Sequence, residues 1–437
     1  MYAIDWAGLL TRTHRNCSAC ATCPHTAATD APAVNRIRRF IPAVSGTVWA
    51  LGFTSLLTDV SSEMIASILP MYLVLELGMR PLAYGVIDGL YQGFAAIVRV
   101  LAGVMADRWN RHKEVAATGY ALSALCRVAL LAAGGAWTAI AGIVAIDRVG
   151  KGIRTAPRDA LISLRSPCRD LATAFGVHRA LDAAGAMLGP LVAFAMLAAM
   201  PARFDLLFAV SFAIALAGVG VILLCVDAEP PTTARKTATI ASAVQVMRTP
   251  GFAPLLLMGL VLGIPTISDA FVFLSLQRAL DMGASAFPLM YVATSLFTAL
   301  CSVPMGRLAD KSGRTVVLIG GYAVLAVVYA VLLVPSATFV TAALALALLG
   351  AYYAATDGVL TAMAAAVLPK KAAGSGLSYL ATVTNVARLF ASILFGLLWE
   401  RIGIRPATSV FLVGLVVAIA AAAVVLPRAR KPETVVA

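Results

Sequence analysis

Charged side chains fall inside stretches of this chain that are otherwise apolar, and of thirteen that stand out ten come from the first half. They are Asp59, Glu63, Asp88, Arg99, Arg127, Asp147, Arg148, Lys151, Arg179 and Asp182, against Asp269, Asp357 and Arg388 in the second half. A charge in an apolar medium costs about 2.5–3.5 kcal/mol unless paired or hydrated, so such residues carry either structure or chemistry. Asp59 and Glu63 are spaced i, i+4, which places both carboxylates on one face of a helix. Arg148, Lys151, Thr155 and Arg158 advance by three or four residues and form a basic stripe. The chemistry available to this set is reversible protonation, in which Asp59 or Glu63 takes up a proton and its countercharge Arg148 is released to another partner. A permanent ion network that only positions helices uses the same residues. Asp269 and Asp357 read as lone carboxylates that bind a proton or a substrate, or that rest on Ser268 and Thr356. Tyr352, Tyr353 and Thr356 add stacking and hydrogen-bonding surface beside Asp357. His178, Arg179 and Asp182, one helical turn apart, read as an internal pair with a satisfied imidazole.

The elements that hold these groups are membrane-length helices. Of 437 residues, 61% are hydrophobic and 13% charged, with a mean hydropathy of +0.90, whereas soluble domains are about 25% charged. Twelve apolar segments are long enough to span a bilayer: 44–75, 82–106, 114–134, 138–158, 171–198, 206–226, 252–277, 286–307, 315–334, 338–362, 374–399 and 405–426. They divide the chain into a tail over 1–43, a first bundle over 44–226, a linker over 227–251, a second bundle over 252–426 and a tail over 427–437. The linker holds Pro230, Pro231, Arg235, Lys236 and Arg248 and is the longest polar stretch between segments.

A net charge of +13 does not imply nucleic acid, because the cations punctuate apolar runs instead of clustering with aromatics on a polar face. Cys17, Cys20 and Cys23, near His14 and His25, are spaced in a way that metals accept but lack a distant partner pair, so the tail reads as disordered and no metal site is expected. Asp5, Arg12 and Arg15 interrupt what would be a signal peptide. Short loops place Arg36, Arg38, Arg39, Arg165, Arg169, Lys370, Lys371 and Arg428 on one side of the membrane, against Arg80, Arg203, Arg278, Arg401 and Arg405 on the other. The side richer in cations is the cytoplasmic one, and both termini lie there.

Two copies of G-x-x-x-D-[R/K]-x-x-R end apolar segments on that side, 203 residues apart. The first is Gly103, Asp107, Arg108 and Arg111; the second is Gly306, Asp310, Lys311 and Arg314. They resemble motif A of the major facilitator superfamily, and the resemblance covers about residues 44–426. Asn110 stands where the family has Gly, while the second copy keeps Gly313. Gly176, Gly185, Gly189 and Pro190 resemble motif C, a mark of exporters that work by proton antiport, although Ala193 replaces its last Gly. Arg148, Lys151 and Gly152 resemble motif B, with Lys151 in place of Gln, inside a run more charged than the family pattern.

The resemblance implies an all-α integral membrane protein of twelve helices in two pseudo-symmetric six-helix bundles. Segments 1, 4, 7 and 10 would line a central cavity holding Asp59, Glu63, Asp88, Arg148, Lys151, Asp269 and Asp357. It implies a monomer in a bacterial inner membrane that exports a small molecule against protons, with no cofactor beyond the proton gradient, no metal and no enzymatic activity. The basic stripe points to an anionic or zwitterionic substrate unless it only neutralises Asp59, Glu63 and Asp88. Uptake of an organic anion or metabolite is the alternative. An enzyme would need a constellation such as G-x-S-x-G or H-E-x-x-H, and neither motif is in the spans; a channel has no use for two latches. By the same resemblance Asp107 would dock on the helix start near Gly374 and Ser375, and Asp310 on the one near Leu171, closing the cytoplasmic side.

Overall fold

The structure, a computed structural model, describes residues 44–109, 111–166, 170–227, 251–335, 338–368 and 373–428. These residues form thirteen α-helices and no strand. In the first half they are α1 (Gly46–Met71), α2 (Pro81–Trp109), α3 (His112–Ala132), α4 (Trp137–Leu164), α5 (Leu171–Ala199) and α6 (Phe204–Cys225). The second half holds α7 (Phe252–Gly263), α8 (Asp269–Leu280), α9 (Phe287–Ser312), α10 (Arg314–Leu333), α11 (Phe339–Val367), α12 (Ala373–Ile402) and α13 (Ile404–Arg428). The expected first tail, all but two residues of the expected last one and nearly all of the expected linker lie outside the described residues.

Among the described residues, eight helices are long and apolar enough to cross a membrane. The remainder are α1, α2, α4 and the short pair α7 and α8, which between them hold Asp59, Glu63, Asp88, Arg148 and Asp269.

Helix ends follow local chemistry. The Ser45 hydroxyl accepts from Val48 N at 3.4 Å and caps α1. Thr338 and Thr341 form a capping box at the start of α11. One residue, Gly313, joins α9 to α10 at φ 99°, a backbone region that side-chain-bearing residues avoid. The glycine one residue before the end of the second motif copy is therefore required by the turn's conformation.

The expected seventh segment, 252–277, is not continuous. It breaks between Gly263 and Asp269, because Pro265 has no N–H to give the helical ladder. The backbone groups freed there are satisfied by one side chain: the Tyr329 hydroxyl accepts from Ile267 N at 2.6 Å and donates to the Pro265 carbonyl at 3.2 Å.

Packing follows the chain's two halves. In the first, α1 lies on α5 and α6, and α4 on α2 and α3; in the second, α11 lies on α9 and α10, and α13 on α10 and α12. The halves meet through α2 against α12 and α5 against α9. Their closest contacts lie at the end away from the motifs. Leu82 N donates to Glu400 Oε2 at 3.2 Å, and the Tyr84 ring meets Phe271 edge-on at 5.1 Å between centroids. Phe271 in turn packs on Phe395 and Trp399.

Candidate functional site

Helix α4 reaches its neighbours because glycine leaves room. A Cβ on Gly150 would stand 2.7 Å from Ser123 Oγ and one on Gly119 2.7 Å from the Gly150 carbonyl, so α3 and α4 are in backbone contact there. A Cβ on Gly152 would meet the Ala95 carbonyl of α2 at 2.9 Å. Wedged between these helices, α4 buries Asp147, Arg148, Arg154 and Arg158. The charges arrange into two separate nodes.

The first node is centred on Asp147. Its carboxylate takes Arg127 of α3 at 3.2 Å and binds its chain neighbour Arg148, whose Nε donates at 3.0 Å. Arg127 also donates to Ser62 of α1 at 2.9 Å, and the Arg148 guanidinium lies 3.9 Å from the Tyr91 ring centre. A void of about 10 Å³ beside these groups is too small for any solute larger than water. This node ties α1, α2, α3 and α4 together and cannot be where a substrate sits.

The second node lies toward the motif end. Asp59 pairs with Arg154 at 3.4 Å, and the Arg154 guanidinium covers the Tyr120 ring at 4.7 Å. Arg158 holds Asp159 at 3.1 Å, donates to Ser55 at 3.1 Å and approaches Asp182 at 3.8 Å. Ser55 further contacts Tyr120 at 3.2 Å and His178 Nε2 at 3.1 Å. Asp182 also gathers Arg179 at 3.6 Å and His178 Nδ1 at 3.7 Å, so the expected internal pair on α5 is part of a four-helix network.

These positions correct the expected pairing. Arg148 is not the countercharge of Asp59 or Glu63, because Asp147 and Tyr91 occupy it; Arg154 takes that place. Glu63 has no ion pair or hydrogen bond among the described residues, and neither does the Lys151 ammonium; both side chains are half-buried. The basic stripe that pointed to an anionic substrate is mostly spent on protein carboxylates.

In the second half the carboxylates are not lone. The Tyr353 hydroxyl donates to Asp269, Arg388 pairs with Asp357 at 3.4 Å, and the Arg388 guanidinium lies 5.9 Å from the Tyr353 ring centre. Asp269 opens α8, where helix-terminal amides favour an anion. Asp88 is buried between the halves and accepts from Ser392 of α12 at 2.6 Å. Asp59, Glu63, Lys151, Asp269, Asp357 and Arg388 are half-buried.

The motif residues separate by role. Gly185 and Gly189 press α5 onto α1: a Cβ would stand 2.6 Å from the Leu56 carbonyl at the first and 2.8 Å from the Val60 carbonyl at the second. Gly176 has open space, and Pro190 lies inside α5. We expect Gly189→Ala to cost about 1–3 kcal/mol in thermal unfolding of the detergent-solubilised protein, because backbone cannot retreat, and Gly176→Ala to stay within about 0.5 kcal/mol. Equal effects would contradict this packing. In the second motif copy Gly306 has open space, and the exposed Asp310 carboxylate meets Arg314 at 3.8 Å, away from the start of α5. Arg314 also donates to the Ala362 carbonyl of α11 at 3.0 Å. Lys311 and Arg111 are exposed. Beyond their places in α2 and α12, Gly103, Asp107, Arg108, Gly374 and Ser375 lie outside the described set.

Sequence patterns alone did not single out Arg154, Tyr91 and Tyr120; Tyr353 was expected beside Asp357 and instead donates to Asp269. The available signal was Asp147, Gly150, Arg154 and Arg158 at helical spacing, a second α4 face beside the one through Arg148.

Known proteins were compared with this arrangement. The family model of the Major Facilitator Superfamily matches residues 51–291 and 266–437. The chain belongs to the Major Facilitator Superfamily. An uncharacterized MFS-type transporter of Methanocaldococcus jannaschii is 32% identical over 385 residues, 86% of this chain and 93% of that protein. An uncharacterized protein of Mycobacterium tuberculosis is 37% identical over 168 residues, 38% of this chain and 41% of that protein. Among solved structures, a nucleoside transporter superposes with a TM-score of 0.74 at 16% identity, over 87% of this chain and 99% of that one. A POT family transporter in complex with 5-aminolevulinic acid gives 0.74 at 13% identity, over 90% and 99%. The superfamily member described here is thus a multi-pass membrane transporter with the MFS fold.

Proposed function

We propose that this transporter exports a small molecule in exchange for protons by alternating access, as a monomer in a bacterial inner membrane with both termini and the motif end in the cytoplasm. The observation that carries the reading is Asp59: a half-buried carboxylate held by Arg154 at 3.4 Å, with the carboxylate of Asp182 as an electrostatic neighbour. A proton on Asp59 neutralises it and frees Arg154, whose remaining contact is the Tyr120 ring. That exchange gives one helix pair two arrangements, selected by protonation. The exporter direction is supported by Gly185 and Gly189, which pack α5 against the helix that carries Asp59.

With the halves in contact at the end away from the motifs, the arrangement corresponds to an inward-open state. In that state the Asp310 latch is disengaged, which agrees with its exposure. The substrate cavity is bounded by Glu63 and Lys151 on one side and by Asp269, Tyr353, Asp357 and Arg388 on the other, a charge set of both signs that suits a zwitterionic or polar solute. Uptake of an organic anion or metabolite by the same fold is the second reading. No cofactor other than the proton gradient is needed for either.

A tolerance screen separates them. Cells expressing the protein should gain tolerance to at least one toxic solute, and a protonophore should abolish the gain. Sensitisation upon expression would favour uptake.

A further inference from the structure

The seam between α2 and α12 is the tightest contact between the halves. A Cβ on Gly85 would stand 2.6 Å from the Ser392 carbonyl, one on Gly89 2.7 Å from the Leu389 carbonyl and one on Gly396 2.5 Å from the Pro81 carbonyl. Backbones that meet this closely tolerate little in between. Yet Asp88, one helical turn from Gly85, puts a carboxyl group into the seam, where it is 6% exposed. Its hydroxyl partner Ser392 lies 2.6 Å away on the opposite half.

No cation stands within ion-pair distance of Asp88 among the described residues. The candidates on the packed helices are spoken for: Arg148 of α4 by Asp147 and Tyr91, and Arg388 of α12 by Asp357. What does face Asp88 is Gln92 and Tyr84 of its own helix, Ser268 and Asp269 at the start of α8, and Tyr291 of α9. The one charged neighbour in that set, Asp269, has the same sign. A carboxylate sealed among such groups is opposed by desolvation and by Asp269, while a neutral carboxyl group fits, since the Ser392 hydroxyl can accept its proton as readily as it donates to the anion.

We propose that Asp88 is a second proton-binding site of this transporter, distinct from Asp59, and that its proton decides whether α2 and α12 stay sealed at the end away from the motifs. When the seam parts, the carboxyl group meets water and exchanges its proton with the compartment on that side. When it takes up a proton, the seam can close over it. The inference does not depend on Asp59 carrying the transported proton.

The test is a pair of spin labels at Arg80→Cys and Arg401→Cys, exposed positions at the ends of α2 and α12, in a background with the seven native cysteines replaced. Inter-label distances are measured in liposomes from about pH 5 to about pH 9. For the otherwise unchanged protein, the ratio of short to long distances should fall as pH rises, by up to about tenfold per pH unit near its midpoint for one linked proton. Asp88→Asn should hold the short distance throughout. Asp88→Glu, which keeps an ionisable group, should restore a titration with a displaced midpoint, and Asp59→Asn should leave the titration in place. A titration that persists unchanged in Asp88→Asn, or its absence from the otherwise unchanged protein, would overturn the proposal.

Discussion

Replacing Asp147 by alanine should destabilise the folded transporter by about 3–5 kcal/mol, the range seen when one member of a buried ion pair is removed and its partner is left uncompensated. The effect should sit at the high end, because two guanidiniums lose their anion at once. Arg127 and Arg148 have side chains only 4% exposed, and neither can lose its proton to escape the cost. Four helices depend on the node through Ser62, Tyr91, Arg127 and Arg148. Asp147→Asn should fall between, since the amide oxygen still accepts from Arg148 but brings no charge. Unfolding midpoints in detergent read this directly, and an Asp147→Ala protein as stable as its parent would show that the node is hydrated and contributes little.

The second large effect is on coupling, and it separates Asp59 from Glu63. Asp59→Asn should leave substrate movement down its own gradient and abolish accumulation driven by a proton gradient, because a neutral side chain holds Arg154 in its released arrangement at every pH. Glu63→Gln should retain gradient-driven transport, since in this state Glu63 has no ion pair whose breakage protonation could signal. The reverse result, coupling lost in Glu63→Gln and kept in Asp59→Asn, would move the proton to Glu63. Both variants should fold, as each side chain is half-buried and near-isosteric with its replacement.

The architecture was legible because lipid imposes a simple code. Twelve apolar segments and two copies of one motif foretold the paired bundles, and Gly313, kept in the second copy, proved to be the positive-φ joint that its glycine allows. Pairing was not legible, and α4 shows why. Arg148 and Arg154 are six residues apart, so at about 100° per residue they point about 240° apart around the axis. A sequence gives that difference but not the absolute phase, and the phase decides which arginine meets Asp59. The same ambiguity hid the partner of Tyr353, which was expected beside Asp357 and binds Asp269 on another helix 84 residues away. Chain-neighbour pairs such as Asp147 with Arg148 escape helical-spacing arguments altogether, since residues at i, i+1 are not expected to face each other. The break before Asp269 had its signal in Gly263 and Pro265, submerged in a run apolar enough to read as one span.

Exchange of substrate for protons through Asp59 is the central claim, and inverted membrane vesicles test it most directly. With an imposed gradient, acid inside, addition of the solute identified by the tolerance screen should be followed by its uptake into the vesicles together with alkalinisation of their interior. In Asp59→Asn the alkalinisation should vanish and the solute should only equilibrate across the membrane, without accumulating. Accumulation without proton movement, or proton movement that survives in Asp59→Asn, would contradict the account.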